Sequence, residues 1–302
     1  MTGTRPLSNR PCILAGLIGA GIQKSLTPAL HMREGAEQGF DYHYELLDLD
    51  CIQGGAAALA ATLLDAEQRG FAGVNVTHPC KQIVVPMLDE LSEDAAALGA
   101  VNTVVFEAGQ RVGHNTDWWG FAESFRRGLR DVAMDTAVLL GAGGAGAAVA
   151  YAMLKLGIES LEIFDINRSR MQALVAKMSK LFPRQRVVFA TSLADAMRTA
   201  AGLVHATTTG MAKSPGLPLP AELLEPRHWV AEIVYFPLQT ELLRRAQKLG
   251  CRTLDGGGMA IYQAVHAFRL FTGITPDAQR MTRHFDRMAR APLTSDTPAL
   301  IT

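Results

Sequence analysis

The chain has 302 residues, 29 Lys+Arg against 29 Asp+Glu, a formal net charge of zero, and 48% hydrophobic residues. That is enough for one large core or two moderate ones, and no cationic stripe points to nucleic acid. The four cysteines, Cys12, Cys51, Cys80 and Cys251, form no C-x-x-C pair, so a zinc or disulfide framework is unsupported and a reducing, cytoplasmic setting fits.

The chain opens with Arg5 and Arg10 before the apolar run "PCILAGLIGAGI", a pattern that resembles a weak signal peptide. The run is Gly-rich, ends at Lys24 and leads into a helix start, so it reads as a buried first strand. No run approaches the ~20 apolar residues of a membrane span. The ends "MTGTRPLSNR" and "RAPLTSDTPALIT" read as frayed tails. Strand "CILAGLI" is followed by helix "PALHMREGAEQG", strand "YHYELLDL", an Ala-rich helix over "GGAAALAATLLDAEQRG", strand "FAGVNVT", the helical turn "EDAAALG", and strands "AVNTVVFEAG" and "QRVGHNT". Such alternation predicts helices covering a mainly parallel sheet, in a unit ending near Thr116.

A second unit follows. "TAVLLGAGGAGAAVAYAMLKLG" reads as strand, tight turn and helix, and "SLEIFDI", "RVVFA", "GLVHATT" and "HWVAEIVY" continue the strands. The end, from "MAIYQAVHAFRLFTG", reads as helical. There is no internal repeat and no low-complexity tract.

"GAGGAG", Gly141 to Gly146, matches G-x-G-x-x-G between an apolar strand and a helix. Gly141 permits the tight turn, Gly143 lets backbone N–H groups approach a pyrophosphate, and Gly146 lets the helix pack on the strand; Gly144 and Ala145 complete the loop. The positive helix end favours phosphate. Asp165 lies 24 residues beyond Gly141, close to the ~20 expected for an acid that accepts hydrogen bonds from the ribose hydroxyls. A plain βα turn with a solvated acid is the alternative.

Three segments of the first unit carry chemistry. In "SLTPALH", Thr27 and Pro28 occupy the N-cap and first helical positions; Ser25 adds a second hydroxyl, and the pair suits a carboxylate, unless Thr27 only caps. In "NVTHPCKQ", Asn75 and Thr77 end a buried strand, where ligands of α/β sheets bind. Lys81 follows at an expected helix start, a place unfavourable for a cation; a surface lysine is the plain alternative. In "GHNTDWWGF", Asp117 precedes the second unit and so lies near any cleft, or else caps the next helix. The eight histidines include no H-E-x-x-H spacing, and no metal is expected. His31 is expected to pack on its own helix and His78 to be a bystander.

Together these segments resemble the shikimate dehydrogenase family, and most closely its NAD-dependent quinate/shikimate members. The match covers "SLTPALH", "GVNVTHPCK", "LGAVNTVV", "GHNTDWWGF", "GAGGAG", "VYFPLQTELL" and "GGGMAIYQAVHAF" in order. The resemblance implies reversible oxidation of a ring hydroxyl of shikimate or quinate to the 3-dehydro ketone, with a nicotinamide dinucleotide as partner. It implies an α/β fold of two domains, a substrate domain (1–116 plus 260–302) with a mainly parallel sheet and a Rossmann-like dinucleotide-binding domain (117–259), with the site between them. By that resemblance Lys81 and Asp117 are the catalytic pair, Lys81 as general base in oxidation and Asp117 positioning the hydroxyl and the ammonium. Ser25 and Thr27 hold the substrate carboxylate, Asn75, Thr77 and Asn102 surround the ring hydroxyls, and Tyr235 and Gln263 close over the substrate. The cofactor set is Gly141, Gly143, Gly144, Ala145, Gly146, Asp165, Arg168, Thr207, Val234, Gly257 and Met259. Thr27 replaces a common serine, Trp118 a small residue and His205 an asparagine; the indoles of Trp118 and Trp119 are expected to pack the domain junction. A related amino-substituted ring as substrate, or a non-catalytic ligand sensor, are the competing readings.

The family's NADP-dependent members carry N-R-T-x-x-R after the second strand of this unit. Here "FDINRSR" puts Asp165 at the asparagine and Ile166 at the first arginine, so an acid stands at the ribose position and the phosphate-gripping arginine is missing. NAD is therefore expected over NADP, despite the neighbouring Arg168 and Arg170, and catabolic use over aromatic amino acid biosynthesis. No nucleic acid or membrane partner is expected; a monomer or a homodimer is.

Overall fold

A computed structural model describes residues 10–290. Arg5 and the expected frayed tails, save Arg10 and Arg290, lie outside the described residues.

Two six-stranded sheets follow one another along the chain. The first contains β1 (Cys12–Gly19), β2 (Asp41–Asp48), β3 (Gly73–Val76), β4 (Glu90–Leu91), β5 (Thr103–Glu107) and β6 (Gln110–His114), in the order β2-β1-β3-β5-β6-β4. Its helices are α1 (Thr27–Glu37), α2 (Leu59–Gln68) and α3 (Glu93–Leu98). The stretch expected as one Ala-rich helix begins as a 3-10 turn, Gly55–Ala58, and becomes α2 at Leu59. β1 is parallel to β2 and β3, but β5 runs antiparallel to β3 and β6 antiparallel to β5. The start of β5 and the end of β6 therefore return to the carboxyl end of β3, where Asn75 faces Thr103 and Thr103 faces His114. At the opposite end, exposed ligand atoms of Cys12, Asp41 and His43 lie within 4.8 Å of one another.

The second sheet is parallel throughout. Its strands are β7 (Thr136–Leu140), β8 (Ser160–Phe164), β9 (Arg186–Phe189), β10 (Gly202–His205), β11 (Trp229–Glu232) and β12 (Arg252–Leu254), in the order β12-β11-β10-β7-β8-β9. The remaining helices are α4 (Asp117–Gly128), α5 (Gly144–Lys155), α6 (Arg168–Leu181), α7 (Leu193–Thr199), α8 (Glu241–Leu249), α9 (Gly257–Thr272) and α10 (Ala278–Arg290). Strands β10 and β11 are buried along their whole length, as a sheet covered on both faces requires. Chain order reverses between β7 and β10, which makes a crevice at their carboxyl ends, the place where such sheets bind dinucleotides. None of the described helices is long and apolar enough to cross a membrane.

The last two helices turn back to the first sheet. Ala267, Phe268 and Phe271 of α9 pack with Ala15, Leu17 and Tyr42, and Ile261 and Val265 pack with Leu30 of α1 and with Met281 and Phe285 of α10. This packing supports assigning α9 and α10, the described part of 260–302, to the substrate unit, a division that we propose.

His31 does not lie along its own helix. It is buried among the rings of Tyr42, Tyr44, Phe268 and Phe271, at 4.9–6.1 Å between centroids, and its Nδ1 meets the Tyr42 hydroxyl at 3.2 Å. Burial pushes its pKa down to about 3. Folded His31 therefore stays neutral while the unfolded chain takes up a proton near pH ~6.5. The stability held by this neutral ring is complete above ~6.5 and is lost as pH falls towards 3, with a slope of at most ~1.4 kcal/mol per pH unit per group. His266, lowered to about 4, acts in the same direction. Denaturant titrations between about pH 7 and pH 4 should show a shallower loss of stability for His31→Gln than for the wild type; equal slopes would contradict the assignment.

Candidate active site

The loops at the carboxyl ends of β1 and β3 are packed against each other. Ala20 donates its N–H to the His78 carbonyl at 3.0 Å, and a Cβ on Gly19 would lie 2.3 Å from the Thr77 methyl. Lys81 sits in this second loop. The helix expected to start at Lys81 is not formed: residues 78–84 make successive turns and a 3-10 turn spans Val85–Met87. Pro86 explains the difference, since it has no N–H to give to an i−4 carbonyl and its ring would clash there.

The Lys81 carbonyl accepts the Val101 N–H at 2.8 Å, which brings Asn102 alongside. The β5–β6 hairpin then returns the chain to the same edge, and α4 begins with Asp117. Lys81 Nζ and Asp117 Oδ2 form an ion pair at 2.5 Å, with side-chain exposures of 29% and 11%. The other carboxylate oxygen, Oδ1, accepts from Asn102 Nδ2 at 2.9 Å. Asn102 is itself fixed, donating also to Thr116 Oγ1 at 2.9 Å and accepting the Thr116 N–H at 2.7 Å. Asn75 donates to Thr103 Oγ1 at 2.9 Å and accepts from the Tyr44 hydroxyl at 2.8 Å. Asp117 is not an N-cap, because Thr116 holds that position; a carboxylate in the first turn is still favoured by the helix dipole. An ammonium and a carboxylate so placed can pass a proton and hold a hydroxyl.

Thr27 is likewise not the cap expected of it. Leu26 occupies the N-cap position, Thr27 is the first helical residue, and Ser25 Oγ accepts the Thr27 N–H at 3.3 Å. Both hydroxyls are half-buried at the start of α1, and Thr77 is half-buried after β3.

The second unit reaches towards the pair. Tyr235 follows β11; its phenol pKa is raised by desolvation, pulled down by Lys81 and pushed up by Asp117, so it lies within their field although 46% exposed. Gln263 lies on α9, where Nε2 donates to the Ala260 carbonyl at 3.1 Å. Trp118 packs edge-on to Tyr151 at 5.4 Å and Trp119 stacks obliquely on His266 at 4.8 Å, so both indoles fill joints between helices.

The glycine loop lies at the switch point of the second sheet. Gly141 has φ +105°, and a Cβ there would meet the Ala206 carbonyl at 2.6 Å and the Thr207 methyl at 3.0 Å. A Cβ on Gly146 would lie 2.1 Å from the Gly141 carbonyl, whereas Gly143 and Gly144 look into open space. Turn, close packing and open backbone are thus divided among the glycines, and the start of α5 offers the open cradle that a pyrophosphate needs. Ala145 is half-buried on the first turn. Asp165 accepts N–H bonds from Ala142 and Asn167, both at 2.7 Å, and a carboxylate with about four acceptor positions keeps capacity for a ribose. Arg168 opens α6 in solvent; Thr207 follows β10, Val234 follows β11, and Gly257 and Met259 open α9.

Family models match two stretches of the chain: a shikimate dehydrogenase substrate binding domain over residues 17–104 and a shikimate 5'-dehydrogenase C-terminal domain over 256–284. The shikimate dehydrogenase (NADP(+)) of Streptomyces avermitilis is 55% identical over 91% of this chain and 96% of its own length. The chain belongs to the shikimate dehydrogenase family. The quinate/shikimate dehydrogenase (NAD(+)) of Corynebacterium efficiens is 47% identical over 92% of this chain and 99% of its own. Among solved structures, quinate dehydrogenase from Corynebacterium glutamicum in complex with NAD superposes with a TM-score of 0.89 at 45% identity, covering 92% of this chain and all of that one.

The residues that fix these candidate side chains in place were not legible in the sequence. Tyr44, Thr103, Asn115 and Thr116 fix Asn75, Asn102 and Asp117; Asn115 accepts the Asp117 N–H at 3.2 Å. Gly120 and Gly258 form the α4–α9 contact: a Cβ on Gly120 would lie 2.7 Å from the Gln263 nitrogen, and one on Gly258 2.0 Å from Ser124 Oγ. Only the "HNTD" segment carried a visible signal. Gly120→Ala should lower stability, because an overpacking cost of about 1–3 kcal/mol against rigid backbone exceeds the ~1 kcal/mol that Ala gains in helix propensity. An unchanged or raised denaturation midpoint would contradict the tight seam.

Proposed function

We propose that this chain is an NAD-preferring dehydrogenase of shikimate, quinate or both, oxidising one ring hydroxyl to the ketone. The observation that carries this reading is the Lys81–Asp117 pair at 2.5 Å, with Asn102 on the second carboxylate oxygen. When bound on the Gly141–Gly146 loop, the dinucleotide supplies the two-electron acceptor for the hydrogen on the carbinol carbon. Lys81 Nζ takes the hydroxyl proton during oxidation and returns it during reduction. Asp117, held at both oxygens, keeps the ammonium and the hydroxyl aligned, and a fixed general acid–base group of this kind contributes a factor of about 10²–10⁴. Ser25 and Thr27 hold the carboxylate at the start of α1, and the Thr27 methyl alters the space beside the carboxylate-bearing carbon, where quinate and shikimate differ. Asn75, Thr77 and Asn102 meet the remaining hydroxyls, and Tyr235 and Gln263 cover the ring.

The preference for NAD rests on two neighbours. Asp165 places a carboxylate against the Ala142 N–H of the loop, and a 2′-phosphate would be repelled there. Ile166, 96% exposed, offers no charge where an arginine would grip that phosphate. The relatives bear both NADP(+) and NAD(+) names. Steady-state kcat/KM for both acids with both cofactors tests the reading: turnover with NAD at least about tenfold above NADP is expected, tenfold corresponding to ~1.4 kcal/mol. A preference for NADP would overturn the cofactor assignment, and no turnover of either acid would overturn the activity.

A further inference from the structure

A buried acid–imidazole–hydroxyl chain runs behind the carboxyl ends of β10 and β11. His205 closes β10, Glu232 closes β11, and the two are register partners. Both side chains have 0% exposure. His205 Nδ1 lies 2.9 and 3.0 Å from the Glu232 oxygens, and Nε2 lies 2.5 Å from Thr207 Oγ1. Glu232 Oε1 also accepts the Val234 N–H at 2.9 Å, and Oε2 accepts the Thr240 hydroxyl at 3.2 Å. Thr207 Oγ1 accepts the Thr209 N–H at 3.2 Å.

The donors and acceptors resolve in one way for an ionised Glu232. A carboxylate only accepts, so Nδ1 carries its proton towards Glu232. In the neutral ring Nε2 then accepts a hydrogen bond from the Thr207 hydroxyl, which leaves the Thr207 oxygen free to take the Thr209 N–H. Every member of the chain is satisfied, as a buried polar network must be if it is to be worth its desolvation. Its outer ends are the two segments that border the dinucleotide crevice. Thr207 stands against the turn at Gly141, and Val234 leads into Tyr235, which feels the charges of Lys81 and Asp117.

We propose that His205 is a positioning residue for the dinucleotide: backed by Glu232, it holds the Thr207 hydroxyl in one arrangement against the Gly141 turn at the cofactor crevice. This rests on the reading that a nicotinamide dinucleotide binds there. The role differs from simple packing because it predicts coupling between His205 and Thr207 that appears in dinucleotide affinity and not in affinity for the acid. Calorimetric titration of NADH into the wild type, His205→Asn, Thr207→Val and the double variant measures this without turnover. Asn at 205 can still donate to Glu232 but is too short to reach Thr207. Each single variant should weaken Kd about tenfold, the double variant no more than about twofold beyond the weaker single, and Kd for quinate or shikimate should stay within about twofold, since coupled residues are non-additive. If His205→Asn does not fold, Glu232→Gln takes its place in the same cycle. Additive losses, an unchanged NADH affinity in His205→Asn, or an equal loss of acid affinity, with wild-type NADH binding intact, would overturn the positioning role alone. A wild type that binds no dinucleotide would overturn the functional reading and this role with it.

Discussion

The ion pair between Lys81 and Asp117 is the contact on which the rest of the site depends. Its two members come from different connections of one sheet, the loop after β3 and the first turn of α4. A partly buried pair of this kind is no gift to stability, because desolvating two charges offsets much of their attraction. The surroundings meet that cost with Asn102 on Oδ1, the Asn115–Asp117 backbone contact and the helix N-terminus behind the carboxylate. The pair is thus fixed by groups from three connections of the sheet, the loop after β3, the start of β5 and the first turn of α4.

Alpha-helix α4 extends that constraint to the second unit. It begins at Asp117, lies against α9 through the Gly120 and Gly258 notches, and packs on α5 through Trp118 and Tyr151. α3 is tied to the same unit: the Tyr151 hydroxyl donates to Asp94 and Lys177 donates to the Leu98 carbonyl, both at 2.5 Å. The glycine loop, the His205–Glu232 chain and Tyr235 are therefore referred to the same helix that carries Asp117. Chemistry that needs an alcohol, a base and a dinucleotide in register requires this kind of shared frame.

Local patterns in the sequence were enough for the strand–turn–helix at the glycine loop, the place of Asp165 just after β8 and the alternation of strands and helices, because each depends on spacing within one βα unit. The same holds for Ser25, Lys81 and Asp117 as candidates. Their environment was not local. Asn102 meets Asp117 only because β5 and β6 form an antiparallel hairpin inside a sheet read as mainly parallel. Gly120 and Gly258 look like ordinary helix glycines until two helices are brought together. Lys81 is expected at a helix start, although Pro86 five residues on argues against one. Thr27 stands one position after the cap expected of it, and Asp117 one position after the cap that was its alternative role. The inward turn of His205 depended on its neighbour Glu232, 27 residues away in sequence.

The most direct test of the account is whether Lys81 and Asp117 act as one unit. Single-turnover or steady-state kcat should be measured for Lys81→Met, Asp117→Asn and the double variant under saturating acid and cofactor. Each single change should lower kcat by about 10² or more, and the double variant should lie within about threefold of the worse single, as expected for groups that share one proton-transfer step. A loss below about tenfold in either single variant, or losses that multiply in the double, would contradict the pair as the centre of the chemistry.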